Sequence, residues 1–167
     1  PLWCRLIAGY VRERDYSVEI LDSEALNLDP AAIAEKVAEK TPRLVGMIVF
    51  GHQPSASTQQ MMGASEASAA IKLSAADIPV IMIGGHVSSL PGQTRGDEPV
   101  DFVCKGEGPV TVVQLLDALS QGEDADFGAV EGLVWRRDED IVVNPPAPLI
   151  QDLDADLRGN AWDLLPM

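Results

Sequence analysis

The sequence Pro79-Val-Ile-Met-Ile-Gly-Gly-His-Val-Ser-Ser-Leu-Pro91 predicts a buried strand that ends in a glycine turn. Residues 80–83 are an unbroken apolar run, typical of a strand covered on both faces of a parallel sheet. The Gly84-Gly85 pair lets the backbone turn sharply and lets a ligand approach the main chain. His86 and Ser88 add an imidazole and a hydroxyl. Ligands bind outside the carboxyl ends of strands in open α/β sheets, so a ligand site is one interpretation and a polar tight turn is the other.

Strands and helices alternate along the rest of the chain. Strands are predicted at residues 17–21, 44–50, 80–83 and 101–105, and helices at residues 2–14, 31–39, 57–75 and 110–119. This alternation predicts βαβ units and therefore a doubly wound, parallel α/β sheet of four strands. A doubly wound sheet starts with a strand that lies in its interior, whereas this chain starts with a helix. We therefore expect the first strand to be missing from this chain.

The pattern changes after the acidic loop at residues 122–128. Residues 132–137 and 141–144 flank Asp138-Glu139-Asp140, which predicts a β-hairpin. Residues 145–167 are rich in proline and aspartate and show no sustained period, so we expect an extended linker. These features divide the chain into an α/β domain, residues 1–122, and a hairpin with a linker, residues 123–167.

Composition excludes several classes of protein. The 167 residues suffice for a hydrophobic core, and a formal net charge of -14 makes nucleic-acid binding unfavourable. No apolar run approaches the roughly 18 residues of a membrane span, and no signal peptide is recognisable, so we expect a cytoplasmic protein without membrane contact. Cys4 and Cys104 fit a reducing compartment, and two cysteines are too few for the usual iron–sulfur ligation.

Three loops follow predicted strands, at residues 51–57, 84–88 and 105–108, and both histidines of the chain lie in them. A histidine after a strand is more often structural than a ligand, although two at adjacent strand ends make a site more plausible. A metal site would need a third ligand, such as Asp101 or Glu107, at a spacing that is not diagnostic. No phosphate-binding loop and no Gly-x-Ser-x-Gly nucleophile elbow is present. We therefore assign no catalytic residue and no metal ligand.

Five motifs occur in an order that resembles a known family. They are the stretch at residues 79–91, Val100-Asp-Phe-Val-Cys-Lys-Gly-Glu-Gly108, Gly132-Leu-Val-Trp135, Asn144-Pro-Pro146 and Trp162-Asp-Leu-Leu-Pro166. No single motif is specific, but the ordered set covers nearly the whole chain. It resembles the N-terminal cobalamin-binding domain of B12-dependent radical SAM enzymes.

The resemblance implies a flavodoxin-like, Rossmann-like fold with cobalamin across the strand ends and the dimethylbenzimidazole tail in the crevice of the sheet. The loop at residues 51–57 would lie under the corrin, and the loop at residues 84–88 beside the tail. The implied cofactor-binding residues are Gly51, His52, Gln53, Ser55, Ser57, Gly84, Gly85, His86, Val87, Ser88, Gly106, Glu107 and Gly108. S-adenosylmethionine and a [4Fe-4S] cluster would bind only in a barrel with a Cys-x-x-x-Cys-x-x-Cys motif, which follows the linker in the family.

Two departures from the family limit what this chain could do. Neither His52 nor His86 occurs in the Asp-x-His-x-x-Gly motif that carries the cobalt ligand of other cobalamin proteins, so we expect His52 to contact the corrin without ligating cobalt tightly. The cluster cysteines are also absent, so the chain alone should not be catalytic. The resemblance implies a whole enzyme that uses a radical SAM barrel, in cis or in trans, for methyl transfer or a radical rearrangement on a small molecule.

Two alternatives remain open at this point. The first is a flavodoxin-like receiver or flavin-binding regulatory module, for which Lys105 could supply the receiver lysine. A receiver also needs an acidic pair at its first strand, and none is present. The second alternative is a structural fragment that binds no ligand, because an interior strand is expected to be missing.

Overall fold

The computed structural model describes residues 2–51, 56–159 and 161–165. The helices are α1 (Leu2–Arg12), α2 (Pro30–Lys40), α3 (Ala56–Ser74), α4 (Gly85–Ser89), α5 (Pro91–Asp97), α6 (Pro109–Leu119) and α7 (Leu153–Asp156). The strands are β1 (Val45–Val49), β2 (Val80–Gly84), β3 (Phe102–Cys104), β4 (Leu133–Arg137) and β5 (Asp140–Val143). Single 3-10 turns cover Gly122–Asp124, Phe127–Ala129 and Trp162–Leu164. Among the described residues, no helix is both long enough and apolar enough to cross a membrane.

The five strands form one sheet in the order β1-β2-β3-β4-β5. β1, β2 and β3 are parallel, and their register pairs Val49 with Gly84 and Met82 with Val103. β4 runs antiparallel to β3, and β5 completes the hairpin. The predicted α/β class, the predicted hairpin and the flavodoxin-like arrangement are confirmed. The sequence did not predict that the hairpin would extend the same sheet.

Helices cover both faces of the sheet, as the doubly wound prediction requires. Successive β2 side chains alternate between two core clusters: Ile81 and Ile83 belong to one, Val80 and Met82 to the other. All four side chains are fully buried. The first cluster includes residues of α1 and α6, and the second includes residues of α2, α3 and α4. A strand buried on both faces has no need of polar alternation, which is why its sequence is a continuous apolar run.

The prediction of a strand at residues 17–21 is wrong. This segment is extended and alternates between exposed and half-buried residues, but it is not part of the sheet. An alternating pattern needs a neighbouring strand to supply ladder hydrogen bonds, and β1 pairs only with β2 among the described residues. Three of the four predicted parallel strands are therefore observed. Val45, Met47 and Ile48 remain half-buried along β1, which leaves one edge of the sheet open.

Two residues that the sequence motifs contain hold the hairpin in place. Gly132 precedes β4 with a φ of 72°, in the left-handed region that glycine adopts most readily. The side chain of Asn144, which is buried, donates hydrogen bonds of 2.7 Å to the carbonyl oxygens of Phe127 and Val130. Its amide oxygen accepts a 3.2 Å bond from the indole of Trp135. The motifs therefore have structural roles that are independent of any ligand.

The linker after the hairpin packs back onto α1 instead of remaining extended throughout. Leu157 and Ala161 are buried. Arg12 forms an ion pair with Asp163 at 2.8 Å, and Arg5 lies 3.9 Å above the ring of Trp162. A helix as short as α7 shows no hydrophobic periodicity in the sequence. The contacts that hold this segment join it to α1, which is distant in sequence.

Candidate functional site

An open pocket lies at the carboxyl ends of the three parallel strands. It has a volume of about 340 Å³ and is lined by Trp3, Phe50, Gly84, Gly85, Ser88, Ser89, Gly106 and Glu107. Phe50 follows β1, the glycine pair ends β2 and opens α4, and Gly106 lies in the loop between β3 and α6. The sheet therefore brings Phe50 and the predicted loops after β2 and β3 to one edge, where ligands of open α/β sheets bind.

Gly84 is required by the close approach of two strands. A Cβ at this position would overlap the carbonyl oxygen of Val49 and would lie 3.0 Å from its carbonyl carbon. Those atoms belong to the backbone of β1, which cannot rotate away as a side chain can. The small residue therefore permits the β1–β2 pairing at the floor of the pocket, in addition to leaving room for a ligand.

Ser57 links the end of β1 to the loop that follows β2. Its side chain is 1% exposed, and its Oγ donates a 3.1 Å hydrogen bond to the carbonyl oxygen of Val49. The hydroxyl Oγ of Ser57 also accepts a 2.8 Å hydrogen bond from the backbone N–H of His86. The hydroxyl thus fixes the end of β1 against the start of α4. The imidazole Nδ1 of His86 lies 3.0 Å from Oγ1 of Thr58, which orients the ring.

The third loop is held by the linker. Gly108 has a φ of 103°, and a Cβ there would lie 3.1 Å from Cγ2 of Ile83. Oε2 of Glu107 accepts a 3.2 Å hydrogen bond from the backbone N–H of Ile150. Residues 105–110 and 146–150 enclose a second cavity of about 100 Å³. Glu107 therefore contacts both the strand-end pocket and the linker.

Sequence reasoning missed the aromatic side of the pocket. Trp3, in the first turn of α1, stacks on Phe50 with ring centroids 4.9 Å apart and planes 20° apart. The two residues are far apart in sequence, and each alone looks like a core residue. The sequence did offer a signal in the position of Phe50, which we predicted as the last residue of a buried strand, directly before a loop of the site.

The predicted site residues divide into four groups. Gly84, Gly85, Ser88, Gly106 and Glu107 line the pocket. The side chains of Ser57 and Val87 are buried, Gly108 packs on Ile83, and His86 bonds to Thr58, so these residues shape the site from behind. Gly51 follows the end of β1 by two residues. His52, Gln53 and Ser55 lie outside the described residues, and the prediction that His52 contacts the corrin stays a prediction.

Neither metal candidate from the sequence gains support. Asp101 lies at the start of β3, opposite the pocket, where its carboxylate binds Nζ of Lys72 at 2.9 Å and the N–H of Val80 at 2.8 Å. Glu107 does not belong to a cluster of metal-binding side chains. Among the described residues, no three aspartate, glutamate, histidine or cysteine side chains are grouped so that they could hold an ion.

Both cysteines are protonated thiols at neutral pH. Burial raises the pKa of Cys104 to about 11, against a partly compensating hydrogen bond with Thr111. Burial also raises the pKa of Cys4. A thiol needs its thiolate form to act as a nucleophile or a metal ligand, so neither residue is set up for that chemistry.

Comparisons with known proteins agree with this architecture. The sequence model of the B12 binding domain matches residues 1–116. The chain belongs to the B12-binding domain family. This membership favours cobalamin over the receiver and flavin alternatives.

Two curated relatives match the domain over its full length. One is an uncharacterised methyltransferase of Pyrococcus horikoshii, 33% identical over 168 residues. The other is the anaerobic magnesium-protoporphyrin IX monomethyl ester cyclase of Synechocystis sp., 30% identical over 168 residues. The chain covers 34% of the first relative and 32% of the second. It therefore spans about a third of the length of the curated relatives it matches.

Solved structures share its fold. The radical S-adenosylmethionine methyltransferase TsrM of Kitasatospora setae, with its tryptophan substrate and a SAM analogue, gives a TM-score of 0.74 at 24% identity over 89% of this chain and 28% of that chain. The cobalamin-dependent S-adenosylmethionine radical enzyme OxsB, with aqua-cobalamin, gives 0.65 at 17% identity over 89% of this chain and 20% of that chain. In both, the matching region is a fraction of a larger radical SAM enzyme.

The pocket suits the chemistry of cobalamin. The cofactor is large, with an extended, largely apolar macrocycle whose rim carries amide side chains. Gly84, Gly85 and Gly106 keep side chains out of the pocket, the Ser88 and Ser89 hydroxyls can bond to amides, and Glu107 can accept from an amide N–H. The residues at the strand ends therefore fit the cofactor that gives the family its name.

Proposed function

We propose that this chain is the cobalamin-binding module of a B12-dependent radical SAM enzyme and that it is not catalytic alone. The observation that carries the proposal is the coincidence of two features. The B12 binding domain match extends over residues 1–116, and within that span the small-residue loops that follow β2 and β3 line the strand-end pocket. Neither the family match nor the pocket would by itself identify the ligand.

In this proposal the glycine pair after β2 and Gly106 after β3 give the cofactor close access to the backbone. Ser88 and Glu107 bond to polar groups at its rim, and Ser57 keeps the loops at a fixed separation through its bonds to Val49 and His86. Cobalamin, when bound, supplies a cobalt centre that can carry a methyl group or take part in radical chemistry.

The whole enzyme would need a partner domain. The structural neighbours are radical SAM enzymes, and one of them is described with cobalamin and a [4Fe-4S] cluster bound. We propose that such a barrel, in cis or in trans, supplies the cluster and S-adenosylmethionine. A methyltransferase is the preferred activity because the 33% identical relative is described as one, and a radical rearrangement on a small molecule is the second possibility.

Equilibrium dialysis against hydroxocobalamin, with the absorption spectrum of the retained corrin, tests the binding proposal. We expect one corrin per chain at micromolar concentration. Gly85→Val should weaken binding, because a branched side chain would enter the pocket. Gly92→Val is the matched control, since a Cβ at Gly92 in α5 meets no atom within 4 Å. No retained corrin at high micromolar concentration would refute the proposal.

Flavin mononucleotide in a parallel cell distinguishes the regulatory alternative. Retention of corrin without flavin supports the cobalamin module. Retention of flavin without corrin would overturn it in favour of a flavin-binding module.

A further inference from the structure

The pocket has two walls of different chemistry. One wall consists of glycines, serines and Glu107, and the other is the Trp3–Phe50 stack. Both aromatic rings are half-buried, so part of their surface faces the pocket instead of the core. An aromatic pair that a protein needed only for stability would gain more from full burial.

The other two tryptophans have partners that explain them. The indole of Trp135 donates to Asn144, and its ring meets Phe127 edge-on with centroids 5.6 Å apart. Trp162 lies under the guanidinium of Arg5 and belongs to the segment that packs on α1. Trp3 differs from both because its ring lines a ligand-sized pocket.

We propose that the Trp3–Phe50 stack is the apolar wall of the cobalamin site and contacts the macrocycle through its aromatic surface. This inference rests on the proposed function. The corrin has apolar faces and a rim of amides, so it matches a pocket with one aromatic and one polar wall. The stack provides contact area and excludes water; it supplies no ligand to cobalt, because neither ring carries a suitable donor.

Chemical footprinting of the wild-type protein tests the contact directly. N-Bromosuccinimide oxidises accessible indoles, and mass spectrometry locates the oxidised residues. Hydroxocobalamin should reduce the oxidation of Trp3 and leave that of Trp162, which is 66% exposed, unchanged. Unchanged oxidation of Trp3 in a protein that demonstrably holds cobalamin would overturn this inference while leaving the proposed function intact. A protein that holds no cobalamin would overturn both.

Affinity measurements give a second, independent readout. Trp3→Ala should raise the Kd for hydroxocobalamin about tenfold to a hundredfold, the range expected for the contact of one large apolar side chain. Trp3→Phe should raise it less, because an aromatic ring remains over Phe50. Trp162→Ala is the control and should leave the Kd unchanged. Circular dichroism checks that each variant is folded.

The spectrum of the bound corrin separates a wall from a ligand. Because the stack makes no bond to cobalt, the variants should lower occupancy without changing the shape of the spectrum at saturation. A Kd for Trp3→Phe equal to that of Trp3→Ala, with a changed spectrum, would contradict an apolar wall and would indicate that Trp3 acts in another way.

Discussion

Replacement of Gly84 by alanine should destabilise the sheet at the floor of the site. Gly84 is the last residue of β2 and pairs with Val49, the last residue of β1. The added Cβ would overlap the carbonyl oxygen of Val49 and lie 3.0 Å from its carbonyl carbon and 3.2 Å from its Cβ. Non-bonded carbon atoms prefer separations of about 3.5–4.0 Å. The overlap with the oxygen is the largest, so the two strand ends must separate by about 1 Å.

The size of the effect follows from the kind of atom that must move. Backbone at the end of a paired strand gives way only if the ladder is distorted, and overpacking of this sort costs about 1–3 kcal/mol. For a domain of this size each kcal/mol lowers the Tm by about 2–4 °C. We therefore expect Gly84→Ala to lower the Tm by about 2–12 °C and to weaken cobalamin binding, because β1 and β2 carry two of the three loops.

Gly63→Ala is the matched control. Gly63 lies on the exposed side of α3, and a Cβ there meets no atom within 4 Å. Alanine in a helix interior is more favourable than glycine by about 0.5–1 kcal/mol, so the control should raise the Tm. Calorimetry of both variants at the same protein concentration measures the difference. A Tm for Gly84→Ala equal to or above that of the wild type would refute the packing argument.

Three further predictions concern single side chains. Ser57→Ala leaves the partly buried N–H of His86 without its acceptor, so chemical denaturation should show a loss of about 1 kcal/mol in the free energy of unfolding. The Cys104 thiol should resist iodoacetamide in the native protein at pH 8. Burial raises the pKa of this thiol to about 11 from 9.0, so its contribution to the free energy of unfolding is complete below pH 9 and should fall between pH 9 and pH 11. In pH-dependent denaturation, Cys104→Ala should remove this part of the fall. Glu107→Ala removes the acceptor for the N–H of Ile150, so amide hydrogen exchange in residues 146–150 should become faster. Exchange at the wild-type rate would show that this contact does not hold the linker.

The buried strands could be predicted because their cause is local. β2 is covered on both faces, and a continuous apolar run ending in Gly84-Gly85 is the direct result. The position of the glycine-rich loops followed from the same reasoning, since parallel strands end at one edge. The start of α2 also has a local cause: Asp29 precedes Pro30, and its carboxylate accepts a 2.8 Å hydrogen bond from the N–H of Ala32.

The features that the sequence did not predict depend on distant partners. Residues 17–21 have the alternation of a strand, but a ladder also needs a neighbour, and the described sheet does not supply one. The Trp3–Phe50 stack joins the first turn of α1 to the end of β1, and no pattern in either segment indicates the other. The packing of the linker on α1 likewise depends on Arg5 and Arg12, which looked like ordinary surface residues of a helix.

The hairpin contributes to the site although it lies beyond the segment that the family match covers. Leu133 and Val134 are fully buried against the core, and β4 covers the edge of β3 that would otherwise be open. The backbone N–H of Lys105 donates a 2.8 Å bond to the carbonyl oxygen of Gly132, which fixes the start of the third loop. The N–H of Gly132 in turn bonds to the carbonyl oxygen of Pro145 at 2.6 Å.

Support for the loop at residues 105–108 therefore continues through the hairpin into the linker, where Ile150 bonds to Glu107. The predicted boundary at residue 122 stays a prediction about domain organisation. A cut at that point would leave β3 as an edge strand and would remove the bond between the Lys105 N–H and Gly132, and exposed strand edges favour association. A movement of the linker would also reach the pocket through Glu107, since one carboxylate borders the pocket and holds the linker backbone. The linker is thus in direct contact, through Ile150 and Glu107, with the lining of the proposed cobalamin site.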